Sequence, residues 1–316
     1  MPSVLEVERL SVRFRPRSVV RGLSYALAPG RTLGVVGESG CGKSMTALAL
    51  MGLVPPPGEV GGSVRLDGRE LIGQPTEAWQ AVRGNRIAMV FQEPMTALNP
   101  VMPVGHQIAE AIVLHEEMGW RTAEERAVAL LDAVGIASAR ARARAYPHQL
   151  SGGMRQRAMI AMALACRPSV LIADEPTTAL DVTIQAQILD LMLELQDEIG
   201  MAIQFISHNL AVVSEIAHEI IVMYAGSIVE RAPADALFAT PLHPYTRGLI
   251  ATLPDPDRRA ARLPVIPGGV PDAGAGATGC AFADRCPRAD RGCRAEEPVL
   301  RELAPGHEVA CFKAAA

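Results

Sequence analysis

The sequence predicts an α/β fold with a parallel central sheet, followed by a smaller C-terminal segment of different composition. Two apolar runs, Val170–Ala173 and Ala202–Ile206, have the length and composition of strands that are buried on both faces. Between them, apolar residues at helical spacing indicate one long amphipathic helix over 184–199, and Gly200 provides its stop. Strand, helix and strand in this order form the repeating unit of a parallel sheet.

The composition supports a folded protein with a sizeable core. The chain has 316 residues, of which 49% are hydrophobic and 20% are charged, so it can form one large domain with an appendage or two modest domains. The net charge of −4 gives no electrostatic reason to expect a nucleic acid partner.

No segment of the sequence is predicted to cross a membrane. The apolar stretch Ala158–Cys166 is far shorter than the ~18 residues that a spanning helix needs. The N-terminus has early acidic residues and no apolar core of a secretion signal. We therefore expect the chain to stay in the cytosol.

The elements of the first third follow from local patterns. Apolar residues alternate with acids and arginines from Val4 to Val12, as in a strand with one exposed face. Leu33–Val36 predicts a short buried strand, and it leads through a glycine-rich turn into a helix from Lys43 to about Leu53. The run of prolines from Pro55 onward ends that helix.

The region from about 93 to 157 is predicted to be helical. Val104, Ile108 and Ile112 recur every four residues and give one apolar face. Thr122 and Glu125 have the spacing of a capping box, which predicts a helix start, and Gly135 predicts its end.

The composition changes after Leu253, where prolines accumulate and a glycine- and alanine-rich stretch follows. This pattern predicts a linker or an irregular segment. We therefore divide the chain into a domain over 1–253 and a C-terminal extension over 254–316. No internal repeat is present in the sequence.

One segment fits the phosphate-binding pattern G-x-x-x-x-G-K-[ST] in full, with a predicted strand before it and a helix after it. Its glycines let backbone N–H groups turn toward phosphate oxygens, and the helix N-terminus adds its positive dipole end. The lysine supplies a charge to the β- and γ-phosphates, and the serine offers its hydroxyl to Mg²⁺. The segment consists of Gly37, Glu38, Ser39, Gly40, Cys41, Gly42, Lys43 and Ser44. We interpret Cys41 as a tolerated small residue, with a reactive thiol as the alternative.

Further candidate residues follow other predicted strands. Asp174 ends the strand Val170–Ala173, at the edge where open α/β sheets bind ligands, and would hold Mg²⁺. Glu175 would polarise the attacking water as a general base. His208 would contact the γ-phosphate, and Gln92 would meet Mg²⁺ or the water. Each residue alone also fits an ordinary surface role, and their order along the chain is what favours a nucleotide-hydrolysing site.

A serine- and glycine-rich segment, Leu150-Ser-Gly-Gly-Met154, then decides the class. It resembles the signature of ABC ATPases, with methionine at the last signature position. The run Asp174–Asp181 resembles the acidic strand and D-loop of the same family. Serine and backbone N–H groups at a helix start can bind phosphate without a lysine.

The resemblance implies a P-loop ABC ATPase fold: a RecA-like core with an inserted helical subdomain at about 93–157 and an antiparallel β edge. It implies ATP and Mg²⁺ as ligands, with Lys43, Gln92, Glu175 and His208 as catalytic residues. Mg²⁺ would be held by Ser44, Gln92 and Asp174. In this family the signature loop acts on the ATP of the opposite subunit in a head-to-tail dimer. The implied nucleotide contacts also include Phe14 on adenine, Met45, Ser151, Gly152, Gly153 and Asp181.

Three segments narrow the resemblance to importer ATPases for oligopeptides, dipeptides and nickel. They are FQEPMTALNP from Phe91, HPYTRGLI from His243, and the tail GCAFADRCPRA from Gly279. The departures, Glu93 and Ala97, do not touch the proposed chemistry. The resemblance implies a peripheral protein on the cytoplasmic membrane face. Its implied partners are a related second ATPase, two transmembrane permeases and an extracytoplasmic solute-binding protein.

Two other classes remain open from the sequence. One is a soluble ABC protein that acts on ribosomes or DNA, although such proteins usually fuse two ATPase halves or carry long coiled coils. The other is a P-loop kinase, which has no reason to contain the signature segment. The sequence also does not separate peptide import from import of nickel or another small solute.

The extension carries four cysteines, Cys280, Cys286, Cys293 and Cys311, in a proline- and glycine-rich region. In a cytosolic protein such a cluster predicts metal binding before disulfides. Four thiolates suit a 4Fe–4S cluster or Zn²⁺. Some dipeptide-type members that resemble this chain carry a 4Fe–4S cluster here, which favours iron–sulfur. Disulfides, inert thiols and His307 as a ligand are the alternatives.

Overall fold

The computed structural model describes residues 3–177, 182–253, 264–271 and 278–315. The strands in these ranges are β1 (Leu5–Phe14), β2 (Arg17–Leu27), β3 (Thr32–Val36), β4 (Glu59–Leu66), β5 (Arg69–Glu70), β6 (Ile87–Val90), β7 (Val170–Asp174), β8 (Ala202–Ser207), β9 (Glu219–Tyr224), β10 (Ser227–Pro233), β11 (Arg301–Ala304) and β12 (His307–Val309). The α-helices are α1 (Lys43–Leu50), α2 (Thr76–Val82), α3 (Pro94–Ala97), α4 (Val104–His115), α5 (Trp120–Ala133), α6 (Ala139–Arg142), α7 (Gly152–Ala163), α8 (Val182–Ile199), α9 (Leu210–Ile216), α10 (Ala234–Ala239), α11 (Pro244–Ala251) and α12 (Arg291–Ala295). Short 3₁₀ helices span Pro147–Gln149 and Ala283–Arg285.

The first of two units comprises Met1–Leu5, Leu27–Arg31 and Gly73–Gln204. In it, β6 and β7 pair in parallel, and every residue of both strands is buried. Helices α4 and α5 pack together, because the buried faces of α4 (Ile108 and Ile112) and of α5 (Ala127 and Leu131) are both apolar. The region predicted to be helical contains the helices α3 to α7.

The second unit comprises Glu6–Ala26, Thr32–Ile72 and Phe205–Ala316. Strands β2, β1, β4 and β5 form a four-stranded sheet in that order. A further run of strands has the order β11, β12, β10, β9, β3, in which β3 and β9 are parallel and the other neighbours antiparallel. Strand β8 carries the chain from the first unit into the second.

Strand β3 confirms the predicted buried strand and leads directly into the glycine-rich loop. All five of its residues are buried. Helix α9 lies close against it at Gly34, where an added Cβ would come within 2.3 Å of the Val213 side chain. A glycine is therefore needed at Gly34 to let the helix approach the strand.

Three local predictions needed correction. The helix predicted to begin with a Thr122 capping box starts at Trp120, without a side-chain cap, and the Trp120 ring stacks on His106 at 4.7 Å. The alternation in β1 is broken at Arg9, whose φ of 48° leaves both Glu8 and Arg9 exposed. Helix α1 ends at Leu50, three residues before the predicted end.

The described part of the C-terminal extension contains more regular secondary structure than its composition predicts. Strands β11 and β12 pair with each other, and β12 also pairs with β10. Leu242, Val309 and Cys311 form a small apolar cluster, with Leu303 and Ala314 packed against it. The described part of the extension thus has a core that it shares with the preceding residues. The boundary predicted at 253/254 stays a prediction.

No helix within the described ranges combines the length and the apolar character required to span a bilayer.

Candidate nucleotide site

The glycine-rich loop joins β3 to α1 in the second unit. Gly37, Gly40 and Gly42 have positive φ angles of 154°, 81° and 105°. At Gly37 an added Cβ would come within 2.3 Å of the Met223 carbonyl oxygen, and at Gly42 within 2.7 Å of the Val19 carbonyl oxygen. Two of the motif glycines are therefore required both by conformation and by close backbone contacts.

The motif lysine points into this loop. Lys43 is 4% exposed, and its Nζ donates to the carbonyl oxygens of Gly37 at 2.7 Å and Glu38 at 3.1 Å. The ammonium thus lies within the curve of the loop, where a phosphate-binding lysine is expected. Ser44 is exposed and Met45 is half-buried at the start of α1. Burial raises the pKa of the Cys41 thiol, so this cysteine remains protonated at neutral pH and packs as a small core residue.

Glu38 is held on both its backbone and its side chain. Its N–H donates to Tyr245 Oη at 2.8 Å, and its carboxylate forms an ion pair with Arg285 at 2.5 and 2.8 Å. The sequence prediction placed Glu38 among the nucleotide contacts, which stays a prediction. Phe14 is half-buried at the end of β1 beside Gly58, and its predicted contact with adenine likewise stays a prediction.

The predicted general base lies beside its predicted helper in the first unit. Gln92 Nε2 donates to Glu175 Oε2 at 3.2 Å. Glu175 has a φ of 47°, an unusual conformation for a residue with a side chain and one that functional sites often hold. Asp174 ends β7 and is 4% exposed. A carboxylate beside an amide is an arrangement that can orient and polarise a water.

The signature segment caps a helix in the same unit. Ser151 is the N-cap of α7, and its Oγ accepts from the Met154 N–H at 3.3 Å. Ser151 and Gly152 are exposed and Gly153 is half-buried, so the first turn of a 12-residue helix meets solvent. This is the geometry of an anion site at a helix N-terminus. His208 follows β8 in the second unit and is exposed. Asp181 lies outside the described residues.

The four cysteines of the extension line one small cavity together with His243 and Phe282. Burial raises the pKa of Cys280 and of Cys286, and the neighbouring thiol groups add to the effect. No group of three or more histidine, cysteine or acidic side chains within the described ranges is arranged to hold a metal ion. The prediction of a metal centre therefore gains no support from this geometry. His307, the alternative ligand, instead contacts Glu230 at 2.7 Å.

Sequence reasoning missed three residues that shape this unit: Arg285, Tyr245 and Glu230. Tyr245 lies inside the HPYTRGLI segment, whose family resemblance does not indicate a contact with the loop. Glu230 is fully buried and accepts from the N–H groups of Leu242 at 2.6 Å and His243 at 2.9 Å. No local pattern signals Arg285, because its partner lies 247 residues earlier in the chain.

Comparison with known proteins places these features in one family. The ABC transporter family matches residues 20–178, and the oligopeptide/dipeptide transporter C-terminal region matches residues 229–293. The probable peptide ABC transporter ATP-binding protein y4tR of Sinorhizobium fredii is 52% identical over 98% of this chain and 95% of its own length. The dipeptide transport ATP-binding protein DppD of Escherichia coli is 49% identical over 98% of this chain and 96% of its own length.

The fold also matches a solved ATP-binding cassette. The dimeric structure of MJ0796, in a post-hydrolysis state bound to ADP and phosphate, superposes with a TM-score of 0.66 at 23% identity. The match covers 73% of this chain and 98% of that one. At this identity the likeness shows the ABC ATPase fold, and the two family matches together with the full-length relatives show that this chain belongs to the ATP-hydrolysing subunits of ABC transporters.

Proposed function

We propose that this chain is the ATP-hydrolysing subunit that powers an importer of dipeptides or oligopeptides. One observation carries the choice of solute class: the oligopeptide/dipeptide transporter C-terminal region matches residues 229–293 in addition to the ATPase match. The 49% identity to an Escherichia coli protein named for dipeptide transport extends over 98% of the chain and supports the same choice.

The reaction is ATP + H₂O → ADP + phosphate. Lys43 places its charge on the β- and γ-phosphates, where negative charge builds up. Glu175 takes a proton from the attacking water, and Gln92, 3.2 Å away, fixes the orientation of that carboxylate. His208 contacts the γ-phosphate. The oxygens of Ser44, Gln92 and Asp174 would hold Mg²⁺, which prefers such ligands and would neutralise phosphate charge.

The exposed start of α7 favours action in a dimer. Ser151, Gly152 and Gly153 would bind the γ-phosphate of ATP held by an opposite ATPase subunit, with Asp181 at the same interface. That second ATPase is a related but distinct chain. The remaining partners are two permeases and an extracytoplasmic solute-binding protein, and the chain acts as a peripheral protein at the cytoplasmic membrane face.

A pull-down of the tagged chain from detergent-solubilised membranes tests this proposal. We expect two multi-span permeases and a second ATPase, identified by mass spectrometry. The complex, reconstituted in liposomes with its binding protein, should hydrolyse ATP faster with dipeptides or oligopeptides than with Ni²⁺. Stimulation by Ni²⁺ alone would assign a nickel importer. Recovery of ribosomal or DNA-repair proteins alone would contradict the transport role.

We further propose, on donor chemistry alone, that the four cysteines take up a 4Fe–4S cluster, with Zn²⁺ as the alternative. Iron, acid-labile sulfide and zinc are to be measured on anaerobically purified protein. The metal content should fall in Cys286→Ser and stay unchanged in Cys166→Ser, whose cysteine lies elsewhere. Protein with none of the three would refute the proposal.

A further inference from the structure

Residues far apart in sequence meet at the phosphate loop through Arg285. This side chain is 6% exposed, and its two terminal nitrogens bind the two carboxylate oxygens of Glu38 at 2.5 and 2.8 Å. The Glu38 side chain is itself 29% exposed. A bidentate, largely buried pair fixes both distance and direction, unlike a surface ion pair.

The Arg285 side chain is also held in place by residues other than Glu38. Its Nε donates to the Pro267 carbonyl oxygen at 2.7 Å. Its guanidinium lies 5.8 Å from the ring centres of both Tyr224 and Phe282. Arginine placed over aromatic faces is stabilised by the ring electrons. The guanidinium is therefore held by Pro267 and Phe282 of the extension and by Tyr224 of β9, and its two terminal nitrogens face Glu38 of the loop.

Tyr245 holds the backbone of Glu38, the residue whose side chain pairs with Arg285. Its hydroxyl accepts the Glu38 N–H at 2.8 Å. Burial raises the pKa of Tyr245, so the phenol stays neutral. The Tyr245 ring packs against Tyr224 and Phe282, with ring centres 4.8 and 5.4 Å apart. The same aromatic cluster thus supports both the ion pair of Arg285 with the Glu38 carboxylate and the hydrogen bond of Tyr245 with the Glu38 N–H.

These contacts bear on the ATP site because Glu38 is part of the loop. The carbonyl oxygens of Gly37 and Glu38 both accept from Lys43 Nζ. A rotation of the Glu38 peptide would move these carbonyls and the N–H groups that follow them. A loop that is fixed before ATP arrives avoids the free-energy cost of ordering it on binding.

We propose that Arg285 is a positioning residue of the ATP site, which acts through Glu38 and makes nucleotide affinity depend on the C-terminal segment. The segment concerned comprises residues 278–295. Arg285 ends the 3₁₀ helix Ala283–Arg285, which lies between Cys280 and Cys286. Because Arg285 directly precedes Cys286, we expect a rearrangement of these cysteines to shift the Arg285 side chain.

ATP turnover by the importer complex and ADP binding by the full-length protein test this inference. In Arg285→Met we expect the KM for ATP and the Kd for ADP to rise about tenfold, ~1.4 kcal/mol in binding. The kcat at saturating ATP should change less than about twofold, because Arg285 touches no reacting atom. Arg285→Lys, which keeps the charge but not the fork, should recover part of the affinity. The control is Arg294→Met, an exposed arginine that pairs with Asp284 in the same segment.

A double-mutant cycle separates positioning from general damage. If Arg285 acts through Glu38, Arg285→Met combined with Glu38→Gln should lose no more affinity than either change alone. Additive losses would overturn the inference, and so would an unchanged KM in a variant that melts at a lower temperature, since the role would then be structural only.

Thermodynamic linkage between ADP binding and the stability of the C-terminal segment gives a second, independent test. Saturating ADP should slow hydrogen exchange in residues 278–295 of the wild-type protein, because coupling between two sites is reciprocal. In Arg285→Met, at an equally saturating ADP concentration, this protection should be lost. Equal protection in both proteins would contradict the proposed route.

Discussion

At the scale of single residues, the proposed role of Glu175 as general base gives the most direct test of the hydrolysis mechanism. Replacing it with glutamine keeps the shape but removes the base, so we expect phosphate release to fall at least about 100-fold. ATP affinity should change little, because Glu175 acts on the water. Measurement of phosphate release tests the expected loss of hydrolysis. Calorimetry of ATP binding tests the expected retention of affinity.

The control for this variant is Glu194→Gln, which changes an exposed glutamate on α8. It should hydrolyse ATP at the wild-type rate. Turnover retained in Glu175→Gln would show that another group takes the proton, and the assignment of the base would then be wrong.

The sequence could predict the residues that short motifs specify. Lys43 and the glycines of its loop follow from one pattern. Gln92 and Glu175 were named because each follows a predicted strand, but their contact with each other was not predicted. Arg285 could not be predicted, because its partner is fixed only when the fold brings distant segments together. Asp181 and the metal ligands stay predictions.

At the scale of elements, His243 shows how a cap can make stability depend on pH. His243 precedes α11, and its Nδ1 accepts the N–H of Tyr245 at 3.0 Å. Burial lowers its pKa from 6.5 to about 4. The unfolded chain therefore binds a proton more readily than the folded one between these two values, so stability should fall as the pH drops from about 6.5 to 4.

The variant His243→Asn keeps an acceptor at the cap but does not titrate in this range. We expect it to remove roughly 3 kcal/mol of the acid-induced loss of stability. Urea unfolding midpoints at pH 7 and pH 4 measure the effect. His148→Asn, at an exposed histidine, should leave the pH dependence as in the wild type. A similar loss of stability in wild type and His243→Asn would show that other groups cause the acid sensitivity.

The second prediction at this scale concerns the contribution of Glu230, in strand β10, to stability. Glu230→Leu removes the acceptor of two buried N–H groups and the partner of His307, and should cost about 3 kcal/mol in the free energy of unfolding. Glu230→Gln, which keeps one oxygen, should cost less. Thermal melting ranks the two variants, with Glu296→Leu as the exposed control. Equal melting temperatures for all three would contradict a structural role for Glu230.

Element predictions succeeded where apolar residues recur over a whole face and failed at the ends. The buried strands β3, β7 and β8 are confirmed. The start of α5 was misplaced because stacking of Trp120 on His106, a tertiary contact, extends the helix beyond the local capping signal. The hairpin of β11 and β12 was missed because its order comes from pairing with β10, which composition does not encode.

At the scale of the whole molecule, the exposed first turn of α7 predicts a nucleotide-dependent assembly. Glu175→Gln with ATP should form a stable complex with the partner ATPase whose mass equals two ATPase chains, whereas ADP should not support it. Light scattering after gel filtration measures the mass. Ser151→Arg, which places a bulky side chain at the exposed N-cap, should abolish the complex in the Glu175→Gln background. A complex that persists in ADP or with Ser151→Arg would contradict ATP-dependent closure at this surface.

The ion pair between Glu38 and Arg285 also has a consequence for synthesis. The ribosome makes Glu38 early, but its partner emerges only after 247 further residues. Contacts of such long sequence separation form late, since the intervening chain must first be ordered. A nascent or prematurely terminated chain thus contains the complete phosphate motif without the arginine that fixes it. Incomplete products should therefore bind ATP weakly, and this would keep them from competing with finished subunits for nucleotide and for partners.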